Sequence, residues 1–149
     1  KLGTAGSISK IPLKPKEPII VMNGDILTNI NFESILNFHK NEKAIATMAI
    51  KESEYKIPYG VVEIETTNIK SIKEKPSYKY YLNSGIYVLS PNALSFIPKD
   101  EKFDMTTLFK NLIKKKTKVS AYPIREYWLD IGRIEELEKA KKEWFGGNI

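Results

Sequence analysis

The chain has 149 residues, 42% of them hydrophobic and 28% charged, proportions that support one ordinary buried core and argue against disorder. It has no cysteine and a single histidine, His39, which excludes disulfides, zinc–thiolate centres, thiol nucleophiles and histidine-rich metal sites; a metal here has to be held by carboxylates, which favours a hard ion such as magnesium. The net charge of +6, from 24 basic and 18 acidic residues, suits an anionic partner such as nucleic acid, a nucleotide or a sugar phosphate without choosing among them.

In chain order, Lys1-Leu2-Gly3 reads as the interior of something longer. No signal peptide is visible, and a cytoplasmic setting is the expectation. Residues 12–18, Pro-Leu-Lys-Pro-Lys-Glu-Pro, read as a surface connection. The longest apolar run, residues 19–22, falls far short of the ~20 residues a membrane span needs. Its lack of alternation suits a strand covered on both faces, as in a parallel sheet. It stops at Asn23-Gly24-Asp25. Asn31 then caps a predicted helix carrying Phe32, Ile35, Leu36 and His39 on one face, and residues 44–50 return to strand character. Strand, helix, strand is the βαβ order. Residues 60–65 alternate as a strand, Thr66-Thr67-Asn68 is the turn, and residues 69–74 pair back. A strand over 81–89 is stopped by Ser90-Pro91, and a short helix follows over 91–96. Asp104 caps a helix with Leu108, Leu112 and Ile113 at core spacing. The basic run Lys114-Lys115-Lys116 reads as the solvated end of that helix rather than a nucleic-acid patch. A strand over 119–124 precedes Trp128-Leu129-Asp130-Ile131-Gly132. A last helix carries Ile134, Leu137, Lys141 and Trp144 along one stripe. The fold class is α/β, a mixed, mostly parallel sheet flanked by helices, with a hairpin excursion.

Several short constellations can carry chemistry. Asn-Gly is the strongest short signal for a tight hairpin turn, yet Asn23-Gly24-Asp25 follows a buried-type strand and precedes a helix cap. In an open α/β sheet, ligands bind beyond the carboxyl ends of strands, so Asp25 is a candidate metal ligand. Asp130 also follows an apolar stretch and precedes Gly132; its plain alternative is a helix cap. Two carboxylates converging from separate strand ends can hold Mg²⁺, with waters and substrate phosphates filling its other positions. In Glu74-Lys75-Pro76 the proline makes its predecessor extended, the lysine suits phosphate and the glutamate suits sugar hydroxyls; an exposed, ion-paired strand end is the plain alternative. Tyr59-Gly60 and Asn83-Ser84-Gly85 each place a glycine where bulk would block a ligand, although a strand glycine also marks a bulge or close packing. Gly3-Thr4-Ala5-Gly6 can aim backbone donors at an anion or a base. Arg125 and Arg133 flank Asp130 and can meet phosphates or form surface salt links.

Taken as an ordered set, Leu2-Gly3-Thr4-Ala5-Gly6, Val21-Met22-Asn23-Gly24-Asp25, Pro58-Tyr59-Gly60-Val61-Val62, Glu74-Lys75-Pro76, Asn83-Ser84-Gly85-Ile86-Tyr87 and Trp128-Leu129-Asp130-Ile131-Gly132 resemble the sugar-1-phosphate nucleotidyltransferases over essentially the whole chain. Phe103-Asp104-Met105 and Pro123-Ile124-Arg125-Glu126-Tyr127 look closest to a guanylyltransferase subgroup that uses mannose- or glucosamine-type 1-phosphates. The resemblance implies a Rossmann-like nucleotide-diphospho-sugar transferase fold. It also implies Mg²⁺ held by Asp25 and Asp130, and a nucleoside triphosphate and sugar 1-phosphate as partners, with no nucleic acid or membrane. Lys75 would neutralise the sugar phosphate and Glu74 would grip sugar hydroxyls. Gly60 and Asn83 would line the sugar pocket, with Asn23, Gly24, Tyr59 and Gly85 in the substrate site. Gly3, Thr4 and Ala5 would lie against base and ribose. One feature departs from the family: its opening glycine-rich loop with an arginine and a lysine has no counterpart here. Residues 1–149 therefore look like the carboxyl-side part of a catalytic domain without its first strand and loop. Alone, this part is expected to turn over little and to expose an open sheet edge that invites self-association. Other readings are a non-catalytic sugar-phosphate or nucleotide binding module and a basic nucleic-acid-binding domain. A nucleotide-sugar glycosyltransferase would want Asp-x-Asp, of which Asn23-Gly24-Asp25 keeps only the last carboxylate.

Overall fold

A computed structural model describes residues 2–12 and 15–145 of the chain, apart from the side chains of Lys139, Trp144 and Phe145. Helix α1 (Gly3–Gly6) runs into a 3-10 turn at Ser7–Lys10. Then come β1 (Ile19–Met22), β2 (Ile26–Thr28), α2 (Phe32–Glu42), β3 (Ala46–Lys56), β4 (Val61–Glu65), β5 (Asn68–Lys73) and β6 (Ser77–Leu89). A 3-10 turn at Pro91–Phe96 leads to α3 (Met105–Lys114), β7 (Val119–Ile124), β8 (Trp128–Asp130) and α4 (Ile134–Phe145).

The central sheet has the order β1-β6-β3-β7. Strands β1, β3 and β7 share one direction, but β6 runs against them between β1 and β3, so only the β3–β7 ladder is parallel. The mixed sheet is as expected; its ladders are less parallel than the βαβ reading implied, because β6 follows the hairpin β4–β5 and returns along β3. Strand β1 lies at the sheet's edge and is only half-buried, not covered on both faces as its apolar run suggested.

Alternate residues of β6 face opposite layers. Tyr87 and Leu89 join Ala46, Leu108, Phe109 and Leu112 beneath α3, while Ile86 and Val88 join Ile35, Ala49 and Ile124 beneath α2. Helix α2 starts where expected: the Asn31 side chain accepts from the Ser34 N–H at 3.0 Å. It buries Ile35 and His39, whereas Phe32 stays exposed. His39 is fully used. Ser90 Oγ donates to the Ala44 carbonyl at 3.0 Å, so it accepts from His39 Nε2–H at 2.8 Å. Nδ1 is then the acceptor of the Thr47 hydroxyl at 2.8 Å, one consistent tautomer.

Two packing stripes differ from expectation. In α3, Met105, Leu108, Phe109 and Leu112 are buried but Ile113 is exposed; Leu112 already occupies the inward position one turn after Leu108. Among the described side chains of α4, Ala140 is buried, while Ile134 and Leu137 are exposed. Lys141 of the predicted stripe is exposed too, and the Trp144 side chain lies outside the described residues, as do Leu13 and Lys14 of the 12–18 connection. Helix α4 is tied down partly through polar groups, with the Tyr127 hydroxyl donating to Glu143 Oε2 at 2.9 Å. Partial burial first, then that carboxylate, pushes the Tyr127 phenol up to about 12. Among the described residues no helix is long and apolar enough to cross a membrane.

Candidate functional site

Between Asn23-Gly24-Asp25 and the Asn31 cap lies a paired strand that the sequence did not suggest, β2, and it pairs with β8 rather than with β1. Ile26 stands opposite Asp130, Leu27 opposite Leu129 and Thr28 opposite Trp128, and the Ile131 N–H donates to the Asp25 carbonyl at 2.8 Å. This three-residue ladder brings together carboxylates that are far apart in sequence. Gly132 lies between them: its N–H donates to Asp130 Oδ1 at 2.9 Å. A Cβ there would stand 3.0 Å from Asp130 Oδ1 and 3.2 Å from Asp25 Oδ2. The two oxygens are therefore no farther apart than those lengths laid end to end, and a side chain at Gly132 would fill the space between them.

These carboxylates open on a cleft of about 540 Å³ lined by Asp25, Trp128, Leu129, Asp130, Gly132, Arg133 and Glu136, a size that suits a small ligand. The Trp128 indole N–H donates to the Ser84 carbonyl at 2.8 Å, which locks β8 onto β6. Among the described residues neither Asp25 nor Asp130 forms an ion pair, and no third His, Cys, Asp or Glu completes a metal cluster with them. Two carboxylates outside any ion pair among the described residues, on one open cleft, fit an ion such as Mg²⁺, which keeps waters and takes phosphate oxygens in its remaining positions.

The other candidates fall into three neighbourhoods. Asn23 is held against Gly85: its N–H donates to the Gly85 carbonyl at 2.9 Å, and a Cβ at Gly85, where φ is +73°, would meet the Asn23 amide at 2.9 Å. Asn83 Oδ1 accepts from the Gly85 N–H at 3.0 Å, and its amide donates to the Tyr87 hydroxyl at 2.9 Å. Gly24 has no heavy atom within 4 Å of where a Cβ would stand, which leaves an open approach between this group and Asp25. On the arm formed by β4 and β5, a Cβ at Gly60 would stand 3.0 Å from Glu74 Oε2, and Tyr59 is exposed. Lys75 takes φ +45°, a left-handed turn rather than the extended conformation expected before Pro76. Neither Glu74 nor Lys75 lines the Asp25–Asp130 cleft.

The backbone donors of residues 4–6 are already taken within the fold. Thr4 N–H donates to Asp104 Oδ1 at 3.0 Å, and the Ala5 and Gly6 N–H groups donate to the Phe103 carbonyl at 2.9 Å. Asp104 in turn does not cap α3 with its own side chain; Thr4 Oγ1 accepts from the Met105 N–H at 2.9 Å and caps it from across the fold. Gly3, at φ +75°, is needed because a Cβ would clash at 2.5 Å with Asp104 Oδ1. Sequence reasoning had not placed Gly132 and Glu136 in the site. Gly132 sits inside a recognised motif, whereas nothing in the spacing of Glu136 marks it.

The mixed α/β sheet flanked by helices is a fold this chain shares with solved structures. The chain belongs to the nucleotidyl transferase family, which matches residues 1–145. It is 31% identical over 143 residues to the probable mannose-1-phosphate guanylyltransferase 3 of Arabidopsis thaliana, covering 91% of this chain and 43% of that protein. It is 29% identical over 150 residues to a UTP–glucose-1-phosphate uridylyltransferase of Synechocystis sp., covering 93% and 39%. Its fold is similar to the crystal structure of HddC from Yersinia pseudotuberculosis, with a TM-score of 0.66 and 25% identity over 96% of this chain and 63% of that one. The chain thus spans about two-fifths of the length of these two curated relatives.

Proposed function

We propose that this chain supplies the metal and sugar-phosphate side of a sugar-1-phosphate nucleotidyltransferase, with GTP as the favoured nucleotide. The observation that carries the reading is the meeting of Asp25 and Asp130 around Gly132. In the reaction an oxygen of the sugar phosphate bonds to the α-phosphorus of the triphosphate. The bond to the bridging oxygen breaks, and pyrophosphate leaves with its electron pair. Two anions have to approach each other, so catalysis is positioning and charge neutralisation, with no protein nucleophile. Mg²⁺, when bound by Asp25 and Asp130, supplies that neutralisation at the phosphate oxygens. Gly24 and Gly132 keep the approach open. Asn83, Gly85 and Asn23 shape the sugar side, and Glu74 and Lys75 reach sugar hydroxyls and phosphate from the arm. Gly3, Thr4 and Ala5 support the base side by packing on residues 103–105. The preference for GTP is supported by the guanylyltransferase name of the Arabidopsis relative.

No segment of the 149 residues matches the family's glycine-rich loop with its arginine and lysine, so binding is a better readout than turnover. Mn²⁺ binding followed by electron paramagnetic resonance tests the site directly. Asp25→Asn and Asp130→Asn are each expected to weaken Mn²⁺ at least ~100-fold, beyond what loss of a supporting residue usually does. Gly132→Ala is expected to weaken it while the fold stays intact. Unchanged binding in both carboxylate variants would sink the reading. Tight, salt-sensitive oligonucleotide binding would favour the nucleic-acid alternative instead.

A further inference from the structure

Building on that reading, we propose that Arg133 is the phosphate-positioning residue of the cleft, its guanidinium holding phosphoryl oxygens of the anion drawn to Asp25 and Asp130. Arg133 is the one basic side chain that lines the cleft among the described residues, alongside Asp25, Asp130 and Glu136. Its carbonyl accepts from the Leu137 N–H at 3.0 Å, so the first turn of α4 fixes its backbone while the side chain stays exposed. Despite three carboxylates in the same cleft, it forms no ion pair with a described residue, whereas Lys10, Lys40, Lys70, Lys79 and Lys118 all do. A guanidinium that shares a cleft with acids and pairs with none of them is available to an incoming anion.

The choice of residue points the same way. Of 24 basic residues only Arg125 and Arg133 are arginines, and they bracket β8. Arginine offers a planar fork that meets two phosphate oxygens at once, whereas lysine offers a point charge. The charges also balance. Asp25 and Asp130, in no ion pair among the described residues, carry two formal negative charges that repel phosphate, and one divalent ion offsets both. Arg133 then supplies directed donors on the side of the cleft next to Gly132.

The test uses the 149-residue chain with saturating Mn²⁺ and calorimetric titration of inorganic pyrophosphate and, separately, of mannose 1-phosphate. Arg133→Gln is expected to weaken at least one of them about tenfold or more, and the anion affected identifies the phosphate it holds. Mn²⁺ binding and the thermal melt should stay as in the wild type. Arg133→Lys should recover part of the loss, which a purely structural role would not produce. Affinity for both anions unchanged in Arg133→Gln, or no anion binding by the wild-type chain, overturns the proposal. Loss of the Asp25 and Asp130 effects on Mn²⁺, with the Arg133→Gln effect retained in metal-free titrations, would remove the metal reading and leave the arginine in place.

Discussion

Two regions of this chain are built in opposite ways. The corner that holds Asp25 and Asp130 is made of very short elements, β2 and β8, yet Ile26 and Trp128 anchor it in the aliphatic cluster beneath α2. The arm that carries Gly60, Glu74 and Lys75 is regular hairpin, yet Val62, Ile64, Ile69 and Ile72 are all exposed, Ile64 and Ile72 to 64% each. The corner owes its geometry to apolar packing and the arm to backbone pairing with exposed polar cross-strand contacts. A metal site needs oxygens fixed to within a fraction of an ångström, and packing supplies that. A hairpin that reaches over a substrate can be held more loosely.

The largest effect that sharpens this contrast lies in the core. Leu108 is fully buried under the sheet, and Leu108→Ala is expected to cost about 3 kcal/mol, chiefly through the cavity left behind. Chemical denaturation would show it as a lower midpoint with an unchanged slope. A loss near zero would mean that the packing described around α3 does not form.

A smaller effect depends on pH. Burial first, then the Lys40 ammonium, holds the His39 pKa below its ordinary 6.5. Below pH 6.5 the unfolded chain takes up a proton that the folded chain still refuses, so the unfolded state binds more protons and stability falls with pH. The contribution is whole above 6.5 and is lost as pH drops through the window down to the folded value. Melting temperatures between about pH 8 and pH 5 should decline in the wild type, and the decline should be shallower in His39→Gln. An equal slope in both would assign the decline to carboxylates elsewhere.

Much of this was legible in the sequence, and the exceptions have physical reasons. The pairing of Asp25 with Asp130 was readable from motif order, but not its cause, because a three-residue strand carries no periodicity. The sheet strands and α3 announced themselves by apolar spacing. Helix α4 was less legible, because its buried Ala140 is small while the larger Ile134 and Leu137 are exposed. Residues 3–6 looked like an anion cradle because glycine-rich turns before helices often are. Only the fold reveals that Phe103 and Asp104 already take the donors of residues 4–6. Arg133 stood in the sequence beside a recognised aspartate, but whether it pairs with a neighbour is a question only distances answer.

The smallest expected effect is the one that isolates the arm. Ile69 and Ile72 are three residues apart and would point to opposite faces of a regular strand. The register shift between Glu63 and Ile64 takes up the odd spacing, so Ile72 lies across from Val62 and Ile69 across from Ile64 on one aliphatic face. The other face is mostly polar, with Val61 at one end and Ser71 donating to Glu63 Oε2 at 2.9 Å. Ile64→Thr keeps a β-branched side chain and breaks one cross-strand pair that is worth at most about 1 kcal/mol. In the isolated chain most of that isoleucine is already in water, so the expected loss is within about 0.5 kcal/mol, measured by the same denaturation that registers Leu108→Ala. Light scattering on the same samples should show no more self-association than in the wild type. A loss as large as that of Leu108→Ala would mean the face is covered in solution. The arm would then be a packed element like the corner, and the contrast between the two regions would fail.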